Sequence, residues 1–333
     1  MQMAPAGWVG VKRGGRRCDI DILPTMSFNF DPTTSTNLVV EADNISVLPL
    51  LPDGAFQMIY IDPPFNTGRT QTRQTTKTVR SAKGNRIGFK GQKYETIRQK
   101  VTSYDDAVED YWAFLEPCLE QAWRLLAETG TLYLHLDYRE IHYAKVLLDA
   151  LFGRDCFLNE IIWAYDYGAR SKAKWPTKHD NILVYVKNPS KYFFDSSEVD
   201  REPYMAPGLV TPEKRALGKL PTDVWWHTIV SPTGKEKTGY PTQKPEGIIR
   251  RMVTASSRPG DWVLDFFAGS GTLGAVALKT ERRFVLMDSN PEAVAVMKSR
   301  LGSGQLGASI SHLNLVEENL DRTTSGWLIP KFS

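Results

Sequence analysis

The chain has 333 residues, 41% of them hydrophobic, and a net charge of only +3. That suits one large α/β domain with an appended lobe, and the overall charge does not by itself announce a nucleic-acid partner. Three widely spaced cysteines (Cys18, Cys118, Cys156) argue against a disulfide frame or a CxxC metal site, and no stretch approaches the roughly 18–20 apolar residues of a membrane span.

Residues 1–36 read as a flexible arm. Its start is basic (Lys12, Arg13, Arg16, Arg17) but lacks the apolar core of a signal peptide, and Met26 offers an alternative start. Leu38–Glu41 reads as a short strand and Ile45–Leu51 as a brief helix or turn. Gln57–Ile61 reads as a buried strand that Asp62 and two prolines terminate. Residues 66–104 are polar and basic and read as a long loop or insertion. Asp105–Glu128 has helical periodicity with Pro117 inside it, Thr131–Asp137 is a strand, and Ile141–Phe152 a second helix ended by Gly153.

Glu160–Tyr165 and Asn181–Val186 are two strands joined by a basic segment. Residues 189–240 are irregular. Then follow a helix at Pro245–Ser256, a strand at Trp262–Phe266, a helix at Thr272–Lys279, a strand at Arg283–Asp288 and a helix at Pro291–Leu301. Residues 302–333 read as a tail with at most one short strand. Strands alternating with helices predict an α/β fold with a doubly wound, mostly parallel sheet. After the glycine loop at 269–274 only one clear strand and helix remain. The loop must therefore pack beside the Asp62 half of the chain, although it comes last in sequence.

Gly269-Ser270-Gly271-Thr272-Leu273-Gly274 matches G-x-G-x-x-G between a strand and a helix. The glycines permit a tight turn and close backbone approach, and the helix start offers free N–H groups. Asp288, nineteen residues after Gly269, is placed to meet ribose hydroxyls. Asp265, at the strand end, would repel a pyrophosphate but suits the ammonium of a methionine moiety. The loop thus favours S-adenosylmethionine (SAM) over a nicotinamide dinucleotide, which stays as the alternative.

Asp62-Pro63-Pro64-Phe65 follows the first buried strand. An exocyclic amino nitrogen of a nucleobase is a poor nucleophile, so its methylation needs two acceptors to hold its hydrogens. The Asp62 carboxylate is one and the Pro63 carbonyl, kept out of regular pairing by the prolines, is the other. Phe65 offers a stacking face to a base that has left the duplex. The plain alternative is a strand ending in an Asp-Pro turn.

These motifs resemble the circularly permuted β class of bacterial DNA amino-methyltransferases, which includes N6-adenine enzymes and the Mod subunits of type III restriction systems. The likeness runs over residues 38–301 and includes Asp62 to Gly68, the Asp265–Thr272 loop, and Thr242-Gln243-Lys244-Pro245. It also includes Glu41-Ala42-Asp43-Asn44 and Asp223-Val224-Trp225-Trp226. The resemblance implies a SAM-dependent methyltransferase fold with a seven-strand sheet carrying one reversed hairpin. It implies that Asp62, Pro63, Pro64 and Phe65 are catalytic. It implies that Asp43, Asp265, Phe267, Ala268, Gly269, Gly271, Thr272, Asp288, Thr242, Lys244 and Pro245 surround SAM. Aspartate rather than serine at position 62 favours adenine N6 over cytosine N4 in this class. A cytosine-N4 enzyme and a catalytically silent DNA-binding protein remain as alternatives. The resemblance further implies a bacterial or phage protein of the cytoplasm acting on double-stranded DNA, with a restriction endonuclease or a second copy as partner.

Residues 66–100 hold ten cations against the single acid Glu95, a local excess of nine in a chain whose total is +3. Arg69, Arg73, Arg80, Lys83, Arg86 and Lys90 in this insertion are candidate phosphate contacts, as are Arg170 and Lys172 between the hairpin strands. A solvated loop is the alternative for the insertion. Residues 166–240 are the candidate target-recognition region, where Trp225 and Trp226 serve either readout or core. The catalytic domain is thus expected over residues 37–301. Pro117-Cys118 has the residue types of a C5-cytosine nucleophile but lies mid-helix, so Cys118 reads as core, as do Trp112, Trp123 and Trp163. The five histidines show no metal-ligand spacing, and no metal is expected.

Overall fold

The computed structural model describes residues 30–65, 70–80, 86–87, 93–105, 111–168, 170–231, 233–302 and 309–311. In chain order the elements begin with β1 (Leu38–Glu41), α1 (Asn44–Val47), β2 (Phe56–Ile61), β3 (Thr70–Arg80), β4 (Arg86–Ile87) and β5 (Lys93–Asp105). Next come α2 (Tyr111–Leu125), β6 (Leu126–Leu136), α3 (Ile141–Phe152), β7 (Phe157–Ala164), β8 (His179–Val186), α4 (Pro212–Leu217) and β9 (Val224–Trp226). The chain closes with α5 (Glu246–Ser256), β10 (Trp262–Asp265), α6 (Thr272–Lys279), β11 (Arg283–Asp288), α7 (Pro291–Leu301) and β12 (Ser309–Ser311).

The main sheet has the order β12-β1-β11-β10-β2-β6-β8-β7-β9. Every pair is parallel except those of β8, which runs against both β6 and β7. The expected seven strands and reversed hairpin are present. Two short edge strands, β9 and β12, raise the count to nine. The decisive neighbours are β10 and β2, paired in parallel with Val263 opposite Met58 and Leu264 opposite Ile59. The Asp62 turn and the glycine loop therefore leave the same sheet edge side by side.

The period of two in each strand divides the core into two layers. Val40, Ile59, Ile61, Leu132, Leu134 and Leu264 face Leu115 and Leu119 of α2 and Ala144 and Leu148 of α3. Val39, Met58, Tyr60, Tyr133, Val263 and Leu286 face Ile248 and Met252 of α5, Leu273 and Val276 of α6, and Met297 of α7. Helices cover both faces, so the sheet is doubly wound.

Three expectations need correction. The 66–104 insertion is not simply a loop: β3, β5 and β4 form a separate antiparallel sheet, with Thr70 opposite Asp105 and Arg80 opposite Tyr94. Its apolar pattern is faint, but its run of threonines carries β-branched strand propensity. The helix expected over Asp105–Glu128 runs only from Tyr111 to Leu125, and Asp105 itself ends strand β5. The backbone after it is taken by the sheet: Leu126 begins β6 opposite Phe56 of β2, and the Gln57 side chain donates to the Thr129 carbonyl and accepts from its hydroxyl. The folded chain also begins before residue 37. Phe30 is buried, stacking on Phe56, and the Pro32 carbonyl accepts from Trp262 Nε1 and from Arg283. Met26 lies outside the described residues.

Candidate active site

At the carboxyl ends of β1, β11, β10 and β2 lies a cavity of about 590 Å³. It is lined by Asp62, Pro63, Pro64 and Phe65 from the turn after β2, and by Asp265, Phe267, Ala268, Gly269 and Thr272 from the loop after β10. Asp288 from β11, Asp43 before α1, and Thr242 and Lys244 before α5 line it too. Two expected cofactor residues are absent from the lining, and each has a structural role instead. Pro245 is the N-cap of α5. Gly271 is the N-cap of α6 in the left-handed conformation, and a Cβ there would come within 2.7 Å of Met297 Cγ. Gly269 does face the cavity, and a Cβ on it would meet the Tyr240 ring at 3.2 Å.

Asp62 divides its two oxygens. Oδ2 pairs with Lys244 Nζ at 2.5 Å, whereas Oδ1 is buried and has no hydrogen-bond partner. The Lys244 ammonium lies 4.7 Å from the Phe65 ring centroid. The Lys244 backbone is tied to the glycine loop, its carbonyl accepting from Thr272 Oγ1 at 3.1 Å. Arg300 holds the loop from behind, donating to the Ser270 carbonyl and Thr272 Oγ1 at 3.1 Å each and to Glu246 at 2.9 Å.

The acids differ sharply. Asp265 is 3% exposed, and burial pushes its carboxyl well up despite a hydrogen bond from Phe267 N; the charges of Asp62 and Asp288 add to the rise. Burial also raises Asp288, although Gly269 N–H and Asn290 N–H donate to its two oxygens at 2.8 Å. A cation entering this cavity would stabilise both as carboxylates.

Several site residues escaped the sequence reading. Tyr60 lines the cavity and bonds His135 Nδ1 at 2.8 Å. His135, fully buried on β6, meets Asp180 Oδ2 at 3.3 Å on β8, and Tyr165 donates to Asp180 Oδ1 at 3.0 Å. Burial works to raise Asp180, but the bonds from His135 and Tyr165 and the Lys244 charge hold it below the usual carboxylate range. This polar chain supports the wall behind Asp62, whose Oδ1 is 4.0 Å from His135 Nδ1. The available signal was a histidine at an inward position of the apolar strand Thr131–Asp137. Asn44 Nδ2 donates to the Phe266 carbonyl at 3.2 Å and ties α1 to the loop.

Cys118 is buried with its thiol pushed up to about 12 by burial, which leaves it inert and in the core as expected. Trp163 is core, and Trp112 and Trp123 pack at its margin. The tryptophan pair splits: Trp225 is buried and Trp226 is 71% exposed. Of the candidate phosphate contacts, Arg73 and Arg80 lie on β3 and Arg86 on β4. Arg170 and Lys172 are exposed after β7, and Arg69, Lys83 and Lys90 lie outside the described residues. Among the described residues no group of three metal-ligating side chains occurs, and no helix is long and apolar enough to cross a membrane.

The sequence pattern of the N6/N4 DNA methylase family matches residues 56–299, from β2 through most of α7. The chain belongs to this DNA methylase family. The methylase is 30% identical to the type II methyltransferase M.HpaI of Haemophilus parainfluenzae, over 78% of its length and 72% of the relative's. It is 27% identical to the DNA adenine methyltransferase YhdJ of Escherichia coli, over 79% and 82% of the two chains. Among solved structures, the M1.HpyAVI–SAM complex aligns with a TM-score of 0.51 at 20% identity, covering 79% of the methylase and 98% of that chain. The cytosine-N4-specific PvuII DNA methyltransferase aligns at 0.54 with 15% identity, covering 82% and 89%. The protein is a SAM-dependent DNA methyltransferase with the motif order reversed, base-site turn first and glycine loop last. The nicotinamide alternative falls with this assignment. The donor set fits SAM: four carboxylates and one ammonium line a cavity that must receive a sulfonium, an ammonium and a carboxylate.

Proposed function

We propose that the methylase modifies N6 of an adenine turned out of duplex DNA at a specific sequence. One observation carries this reading. Asp62 Oδ1 is a buried acceptor with no partner, in the same cavity as the glycine loop. An unpaired buried acceptor is costly, and an amino group entering beside it would relieve that cost. When bound, SAM supplies the methyl group and a sulfur leaving group. In this proposal Asp62 Oδ1 accepts one amino hydrogen and the Pro63 carbonyl the other, drawing the nitrogen toward tetrahedral geometry. Phe65 stacks on the ring. Asp265 would hold the methionine ammonium and Asp288 the ribose, and Gly269 would leave room for the nucleoside. Tyr60, His135 and Asp180 hold the Asp62 wall in place.

Adenine is favoured over cytosine by aspartate at position 62 and by the adenine specificity named for YhdJ. The exposed Trp226, Arg170 and Lys172 support sequence readout by the 166–240 region, and the β3–β5 sheet supports backbone contact through its cations. A type II name on M.HpaI supports a restriction endonuclease of matching specificity as partner. Single-molecule sequencing of DNA from cells expressing the chain tests base, position and motif together. N6-methyladenine in one sequence context is expected. N4-methylcytosine would overturn the choice of base, and unmodified DNA would overturn the reading.

A further inference from the structure

Lys244 occupies both anchors of the proposed base grip, Asp62 and Phe65. Its ammonium gives an N–H to Asp62 Oδ2 and lies 4.7 Å from the centre of the Phe65 ring. A nucleobase would use the same two anchors, offering amino hydrogens to the carboxylate and its flat ring to the phenyl group. An ammonium reproduces both contacts, one as a charge-assisted hydrogen bond and one as a cation–π contact. It also fills the layer over the ring in which a stacked base would lie. The pair is well shielded, with side-chain exposures of 12% and 15%, so separating it without a substitute would leave an uncompensated buried charge.

The cavity itself says what can draw the lysine away. Among the described residues lining it, Asp43, Asp62, Asp265 and Asp288 are acids and Lys244 is the single cation. An anionic group arriving there has no other countercharge. Of the groups carried by SAM, the α-carboxylate is the anion. The lysine backbone is anchored to the glycine loop through Thr272, so any movement of the ammonium falls to the side chain.

We infer that Lys244 is a placeholder for the target base, withdrawn from Asp62 and Phe65 by the cofactor's carboxylate. This rests on the base grip proposed above and adds an order of events: cofactor first, base second. A ligand shifts such an equilibrium only through its differential affinity for the two lysine positions. The coupling is reciprocal, so base capture raises cofactor affinity by the same factor.

The test uses the full chain and a duplex with 2-aminopurine at the methylated position found by sequencing, since the analogue brightens on leaving the stack. The two probes are S-adenosylhomocysteine, which has the carboxylate and no transferable methyl, and methylthioadenosine, which lacks the carboxylate. In the wild type S-adenosylhomocysteine should favour base extrusion by about tenfold and methylthioadenosine should leave it unchanged. In Lys244→Met extrusion should occur without any cofactor, and the preference for S-adenosylhomocysteine over methylthioadenosine should fall by about tenfold. Retained methylthioadenosine affinity shows that the variant is folded. Equal extrusion by the wild type with either probe, or with none, overturns the inference whatever the variant does. So does a folded Lys244→Met that still requires the carboxylate. If no position is methylated the base-grip reading fails; if one is methylated but extrusion is cofactor-independent, only this inference fails.

Discussion

The two glycines of one motif should fail in different ways. Gly271 has φ +69 and ψ 35, the left-handed region, where an L side chain costs about 1–2 kcal/mol. An alanine methyl there would also sit 2.7 Å from Met297 Cγ and 3.5 Å from Leu286 Cδ1, both in the α6–α7 core layer. Met297 Cγ is near the root of its side chain, so relief requires a shift of α7, and such overpacking costs about 1–3 kcal/mol. Gly271→Ala should therefore lose about 2–5 kcal/mol, and its melting temperature should drop by roughly 5–15 °C. Because Gly271 does not line the cavity, the folded fraction should bind S-adenosylhomocysteine within about twofold of wild type. Gly269→Ala is the contrast. Its methyl would approach Tyr240 at 3.2 Å inside the cavity, so the backbone penalty is about 1–2 kcal/mol while cofactor affinity falls tenfold or more. Thermal unfolding and titration calorimetry on both variants read the two effects separately. A Gly271→Ala protein with unchanged melting temperature and weakened cofactor binding would refute the division of labour.

Asp62→Ala should keep cofactor binding and lose methyl transfer by at least about a thousandfold, measured with tritiated SAM on DNA; undiminished turnover would remove Asp62 from the chemistry. Cofactor binding should release protons and strengthen as pH rises. Asp265 and Asp288 are raised in the free protein, the bound cation favours their ionised forms, and so affinity grows as pH climbs through their titration. Calorimetry in buffers of different ionisation enthalpy measures this, and zero net proton release contradicts it. Neutralising Arg80, Lys83 and Arg86 together should weaken DNA binding and flatten its log–log salt dependence by about 2–3, and an unaltered slope would make the β3–β5 sheet a bystander.

Much of this site was legible because its parts sit at strand ends. The apolar runs before Asp62 and Asp265 each ended in a chain-breaking or glycine-rich turn. The helices Ile141–Phe152, Thr272–Lys279 and Pro291–Leu301 and the strand Arg283–Asp288 were bounded as found. The placing of Asp62 beside the glycine loop followed from a shortage of strands after residue 288. What was not legible depends on partners that periodicity does not encode. His135 and Asp180 meet only because β6 and β8 run antiparallel, with His135 opposite Ile182. Arg300, on the last turn of α7, carries no sequence signal that sets it apart from a solvated cation, yet it reaches Glu246 and the glycine loop. Lys244 was expected beside the cofactor, but the direction of its side chain, toward Asp62, could not be read from Thr-Gln-Lys-Pro. The polar β3 and β5 carry little apolar alternation because they pair in a sheet separate from the main one.

The pairing of β10 with β2 joins segments about two hundred positions apart, which makes the topology slow to close. A chain still emerging from the ribosome carries β2 and β6 with one flank of β2 bare until β10 is synthesised. That flank is an open row of N–H and C=O groups, the kind of edge that invites wrong partners. Synthesis halted at Asp223 should therefore yield a fragment that is inactive and sticky at once. Supplying residues 224–333 in trans should cover that edge and restore activity from two separately made pieces.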